Sequence, residues 1–145
     1  MSRSRRVTEM NILIIADDSS VIGTITEAIS QCEPTCTIFE ASSPQEALEW
    51  MSAASMNIVF SEIHMSRMNG LAFLEAHQSL FANVCWIAIS EFKSFYDIQK
   101  AIKLGGRDYL LKPMEEPILH GLLEGLIHTG KPYWQGGYDC EPCSC

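Results

Sequence analysis

The chain has 145 residues, the size of one domain, and a chain of that length buries about 70% of its unfolded surface in a single core. Apolar residues make up 47% and charged residues 19%, a balance that excludes an intrinsically disordered chain and a fibre. Ten Lys and Arg stand against 18 Asp and Glu, for a formal charge of -8, so the electrostatic footprint of a dedicated binder of nucleic acid or anionic membrane is missing.

The first six residues carry three Arg, but the apolar run that follows, Ile12 to Ala16, is five residues long and ends at two Asp. It is too short for a signal-peptide core or a membrane span, which points to a cytoplasmic protein. Runs of strand length continue at 36–40, 58–61, 84–89 and 108–111. Helical spacing separates them: Val21, Ile22, Ile25 and Ile29; Ala47, Leu48 and Met51; Leu71 and Leu74, with Gln78 at the edge; Ile98, Ala101 and Ile102; and Ile118, Leu119, Leu122, Leu123, Leu126 and Ile127. Ser43-Pro44 is a cap followed by proline at the first helical position, and Asn69-Gly70 and Gly105-Gly106 punctuate segment ends. Five strands alternating with five helices predict an α/β fold with a parallel sheet.

In an open α/β sheet the ligand crevice lies beyond the carboxyl ends of the strands. There the sequence places Asp17-Asp18, Ser61-Glu62, Ser90-Glu91 and Lys112-Pro113. Among them the carboxylates of Asp17, Asp18 and Glu62, the Ser90 hydroxyl and the Lys112 ammonium are expected to converge at one edge. Carboxylates are the hard oxygen ligands that Mg²⁺ takes, while Lys and Ser donate well to phosphoryl oxygens. Any one of these residues alone reads as a solvated loop group; four sites at the correct strand ends do not.

These residues, together with Ile12–Ser19, Asn57–Gly70, Ile89-Ser90 and Gly105–Pro113, resemble the receiver domain of bacterial two-component response regulators over about residues 11 to 128. The resemblance implies a flavodoxin-like three-layer fold of strand order 2-1-3-4-5, and Mg²⁺-dependent transfer of phosphate from a histidine kinase to an Asp. Carried over position by position, Asp17 and Asp18 match the metal-binding acid pair, and His64 the residue whose backbone carbonyl completes the metal shell. Ser90 matches the switch hydroxyl, Tyr109 the aromatic whose rotamer reports activation, and Lys112 the lysine that pairs with the phosphoryl group. The Lys112-Pro113 bond is expected to be cis. The chain then divides into a basic extension (1–9), a receiver domain (10–128) and a flexible Cys-rich tail (129–145).

The departure that matters most is Glu62, because the family's phosphoacceptor at that position is Asp. One extra methylene moves the carboxylate oxygens by more than about 1 Å, and a misplacement of that size costs on the order of 10²-fold in rate. Glu62 then acts either as a built-in mimic of the phosphoryl group or as a partner of Lys112 that freezes the switch. Ser66 stands where the family usually has Pro, Asn69 replaces a common Asp, and Glu91 replaces a small residue, where it either repels a phosphodonor or lies in solvent. Asp17, Asp18 and Glu62 still offer Mg²⁺ a weak site; without a cation their mutual repulsion should raise at least one pKa.

By resemblance, the face built from the fourth helix, fifth strand and fifth helix contacts partners. Phe92, Phe95 and Tyr96, with Tyr109, suit such an interface, unless Phe92 or Phe95 folds back onto the sheet edge. The wide apolar stripe of the fifth helix allows a homodimer on this face. Cys140, Cys143 and Cys145 offer an incomplete soft-metal or redox set at the tail. A flavin carrier is disfavoured because Asp17-Asp18 would repel its phosphate, and a phosphatase-like hydrolase because only the strand-end Asp pair speaks for it. The reading is a stand-alone, non-enzymatic receiver that signals through a kinase or effector protein, independent of ordinary Asp phosphorylation, with no direct contact to nucleic acid or membrane. The alternatives are a receiver phosphorylated on Glu62 or elsewhere, and a metal or redox module using the tail.

Overall fold

A computed structural model describes residues 10–33, 35–66 and 68–128. Five strands alternate with five helices: β1 (Asn11–Ile15), α1 (Ser19–Cys32), β2 (Thr37–Ala41), α2 (Pro44–Ala53), β3 (Ile58–Glu62), α3 (Gly70–Ala76), β4 (Cys85–Ser90), α4 (Phe95–Lys103), β5 (Asp108–Leu111) and α5 (Glu116–His128). The sheet is parallel throughout, in the order β2-β1-β3-β4-β5, so the expected flavodoxin-like topology is the one observed.

Because side chains alternate across a strand, the sheet feeds two cores. Ile12, Ile14, Phe60, Ile87 and Ile89 face α1 and α5, where they meet Ile25, Ile29, Leu119 and Leu123. Leu13, Ile15, Val59, Trp86 and Ala88 face the other way, against Ala47 of α2, Leu71 and Leu74 of α3 and Ala101 of α4. The central strands are apolar on both faces, as a sheet covered by helices on each side requires.

Each of the first four helices starts on a polar side chain that accepts from an otherwise orphaned N–H: Asp18 from Ser20, Ser43 from Glu46, Asn69 from Leu71 and Ala72, and Ser94 from Asp97. Asn69 therefore does the capping an Asp would do. Lys112-Pro113 is cis, as the resemblance implies.

Three features differ from the sequence reading. Strands β3 and β4 each run one residue further, so Glu62 and Ser90 belong to the ladder and not to the loops after it. Helix α3 stops at Ala76 and a 3₁₀ turn, Gln78–Phe81, follows; Phe73 and Phe81 are buried there while Gln78 is exposed. Ile102 and Ile118, assigned to core stripes, are 67% and 58% exposed. Cys32, Cys36 and Cys85 are in no disulfide, as the sequence reading has it; Cys140, Cys143, Cys145, the basic extension and the tail lie outside the described residues.

Candidate functional site

Strand ends β1, β3 and β5 bring Asp17, Asp18, Glu62 and Lys112 together. Glu62 is 1% exposed. Its Oε2 meets Lys112 Nζ at 2.5 Å, and its Oε1 accepts the Asp17 backbone N–H at 2.9 Å. Lys112 also reaches Asp18 Oδ2 at 3.4 Å, so one ammonium bridges two carboxylates. Burial works against the charged lysine, but the hydrogen bond and charge of Glu62, helped by Asp18, outweigh it and hold its pKa above the ordinary value.

Neither aspartate shows the raised pKa expected of an acid cluster: both are lowered. For Asp17 the main cause is the Ser66 backbone N–H, 3.0 Å from Oδ2, supported by the Ser66 hydroxyl at 2.9 Å. For Asp18 it is the Ser20 hydroxyl at 2.7 Å, followed by the Ser20 N–H, with a smaller contribution from Lys112. Donors from the protein thus replace the repulsion expected of a bare acid cluster.

Ser66 is the residue whose role the sequence reading missed. The signal was present, because a proline at that position has no N–H to give, and its replacement by Ser supplies two donors at once.

The chemistry of three carboxylates suits Mg²⁺ in kind, but their oxygens already have partners within the protein. Among the described residues, Asp17, Asp18 and Glu62 do not form a group whose ligand atoms all lie within 4.8 Å of one another. Asp17 Oδ2 is occupied by Ser66, Asp18 by Ser20 and Lys112, and both oxygens of Glu62 by Lys112 and the Asp17 N–H.

Ser90, though buried beside this cluster, points elsewhere: its hydroxyl accepts the Phe92 N–H at 3.0 Å. The Tyr109 hydroxyl donates to the Phe92 carbonyl at 3.1 Å, so the Phe92 main chain is held on both sides. The ring of His64, whose carbonyl is the group the resemblance singles out, also has contacts of its own. Its Nε2 lies 3.1 Å from Asp97 Oδ2 on α4, and the ring packs edge-on against Phe92 at 5.4 Å between centroids.

The rings of Phe92, Phe95 and Tyr96 do not fold back. They are 55%, 77% and 68% exposed. Glu91 is exposed and lines a shallow groove with Asp18, Ser20, Lys112 and Pro113, at the mouth of the acidic cluster.

Comparison with known proteins agrees with this geometry. Residues 12–124 match the model of the response regulator receiver domain. The chain is 27% identical over 118 residues to the transcriptional regulatory protein CitT of Halalkalibacterium halodurans, covering 80% of this chain and 51% of that protein. It is 29% identical over 104 residues to the Regulator of RpoS of Escherichia coli K12, covering 72% of this chain and 31% of the relative. It therefore spans about a third to a half of the length of these relatives.

Among solved structures, the N-terminal domain of an uncharacterized protein from Wolinella succinogenes aligns with a TM-score of 0.72 at 27% identity, covering 83% of this chain and 96% of that one. The signal receiver domain of a DNA binding response regulator from Colwellia psychrerythraea 34H aligns with a TM-score of 0.76 at 22% identity, covering 83% and 99%, and bears on the fold alone. Strand order, the acidic strand ends and the extent of the family match lead to one conclusion: the chain belongs to the response regulator receiver domain family, the signal-receiving module of two-component systems.

Proposed function

We propose that this receiver works without phosphorylation, as a binding module whose site is held in one state by the Glu62–Lys112 pair. The observation that carries the reading is the engagement of Glu62 at both oxygens, by Lys112 Nζ and by the Asp17 N–H. A nucleophilic carboxylate must present a free oxygen to the phosphodonor, and here both are occupied on a side chain that is itself buried. Ser90 adds support for a fixed site over a phosphate mimic, since its hydroxyl bonds the Phe92 N–H and not Glu62.

Mg²⁺ enters this site only in competition with Lys112 and Ser66, which makes its binding weak. Output runs through protein contacts on the exposed edge formed by Phe92, Phe95 and Tyr96, with a kinase, an effector or a second copy of the chain as partner. Tyr109 and Ser90 both hold the Phe92 main chain at that edge. No helix among the described residues is long and apolar enough to cross a membrane.

The test is intact-mass spectrometry after incubation with Mg²⁺ and acetyl phosphate, with Glu62→Asp run alongside. The expected result is no added phosphoryl mass on the natural sequence and labelling of the Asp variant. A phosphoryl adduct on Glu62 itself overturns the proposal.

A further inference from the structure

On the face of the sheet covered by α1 and α5, away from the acidic strand ends, a second set of ligating groups comes together. Cys32 closes α1 and is buried; His120 and Glu124 lie one turn apart on α5, half-buried and exposed respectively. The thiol sulfur, an imidazole nitrogen and a carboxylate oxygen all lie within 4.8 Å of one another, and this is the one such trio among the described residues.

We propose that Cys32, His120 and Glu124 form a binding site for a borderline divalent transition metal, with Zn²⁺ the best matched, clamped between α1 and α5. The donor set is the first argument. Sulfur, imidazole nitrogen and carboxylate oxygen are the three ligand types of tetrahedral Zn²⁺, and sulfur selects against Mg²⁺ and Ca²⁺.

Geometry is the second. With metal–ligand bonds of about 2.0–2.3 Å, neighbouring donors of a tetrahedron are roughly 3.4–3.6 Å apart, so donors within 4.8 Å of one another need to contract by at most about 1.4 Å. Positions i and i+4 of a helix share one face, which brings His120 and Glu124 to the same ion. A His–Glu pair on a helix surface is ordinary by itself; here a second helix supplies the sulfur. That helix is held in register with α5 by Ile25 and Ile29 packed with Leu119 and Leu123 in one core. The rigid frame keeps the donors in place before an ion arrives.

Binding at neutral pH exchanges the thiol proton for the metal–sulfur bond and releases that proton to solvent. Three protein ligands leave the fourth position for water at the exposed Glu124 side. The ion ties α5 to the C-terminal end of α1.

The test uses the full chain with Cys140, Cys143 and Cys145 replaced by Ser, so that tail thiols do not contribute. Co²⁺ is titrated in as a spectroscopic stand-in for Zn²⁺, and Zn²⁺ is then added in competition. The expected result is one equivalent of tetrahedral Co²⁺ with a sulfur-to-cobalt charge-transfer band, displaced by Zn²⁺. The carboxylates at the strand ends are unable to produce that band. His120→Ala and Glu124→Gln, both reachable from solvent and checked for unchanged circular dichroism, should each weaken binding by at least about tenfold, and Cys32→Ser should remove the band. No band in the tail-substituted chain, or a band indifferent to His120→Ala, overturns the proposal.

Discussion

Ser66 gives both its backbone N–H and its hydroxyl to a single oxygen of Asp17, Oδ2, at 3.0 and 2.9 Å. The loop after β3 is thereby latched onto the end of β1. In Ser66→Pro both donors are lost, and the pKa of Asp17 should climb back toward its ordinary value near 3.8. Carboxylate NMR shifts followed against pH measure this directly. The same variant should bind Mg²⁺ more tightly than the natural sequence in a calorimetric titration, because one competing donor set is gone.

Glu62→Gln keeps an acceptor for the Asp17 N–H but leaves Lys112 with Asp18 alone. Breaking one side of a buried ion pair costs about 3–5 kcal/mol. The remaining contact to Asp18 and the partial exposure of Lys112 should bring the loss down to about 1–3 kcal/mol. Urea unfolding checks this, with a lowered midpoint at unchanged slope as the expected outcome.

The site also sets the pH profile of stability. Asp17 and Asp18 have lowered pKa values, so what they contribute is present above about pH 3.8 and is lost as pH falls through their folded values. Lys112 has a raised pKa, so its contribution is present below pH 10.5 and is lost as pH rises beyond that through its folded value. Melting temperatures across the pH range should show a plateau that declines on both sides. Removal of Lys112 by Lys112→Met should flatten the alkaline side.

Gly70 opens α3 directly against the end of β3. A side chain there has no room: a Cβ would collide with the Glu62 carbonyl oxygen and crowd the Ser61 hydroxyl. Gly70→Ala should cost about 1–3 kcal/mol through forced displacement of backbone. Thermal denaturation measures the loss, and the disturbance should reach the Glu62–Lys112 pair as an altered Lys112 titration.

Phe95 and Tyr96 stand on the first turn of α4, and both rings are largely exposed. Phe95→Ala combined with Tyr96→Ala should leave stability within about 0.5 kcal/mol, as surface changes do. If a second copy of the chain is the partner, sedimentation at rising concentration should show the natural sequence associating and the double variant remaining monomeric.

Strand positions were legible in the sequence to within one residue, and the residual error has a cause. Glu62 and Ser90 are polar, so the apolar runs stop before them, yet their backbone stays in the ladder and their side chains are buried. Ile102 and Ile118 show the limit of helical periodicity, which counts apolar residues but does not say which stripe meets the sheet. Within the site, the convergence of Glu62 and Lys112 was legible from the strand ends, while their pairing was one of two alternatives the sequence left open. The Ser66 latch did not, because a backbone N–H has no residue signature except where proline would have removed it. The direction of the Ser90 hydroxyl is a rotamer choice, and the meeting of Cys32 with His120 and Glu124 depends on how two helices far apart in sequence slide along each other.

Phe92 has both its main-chain N–H and its carbonyl oxygen engaged, the first by Ser90 and the second by Tyr109. A visiting chain is left no free main-chain group at that residue to pair with, so strand-on-strand docking is closed there and only the ring is offered. Recognition at this corner is written in one side chain's shape. Replacing that ring by another of different outline should redirect partner choice while the loop beneath it keeps its form.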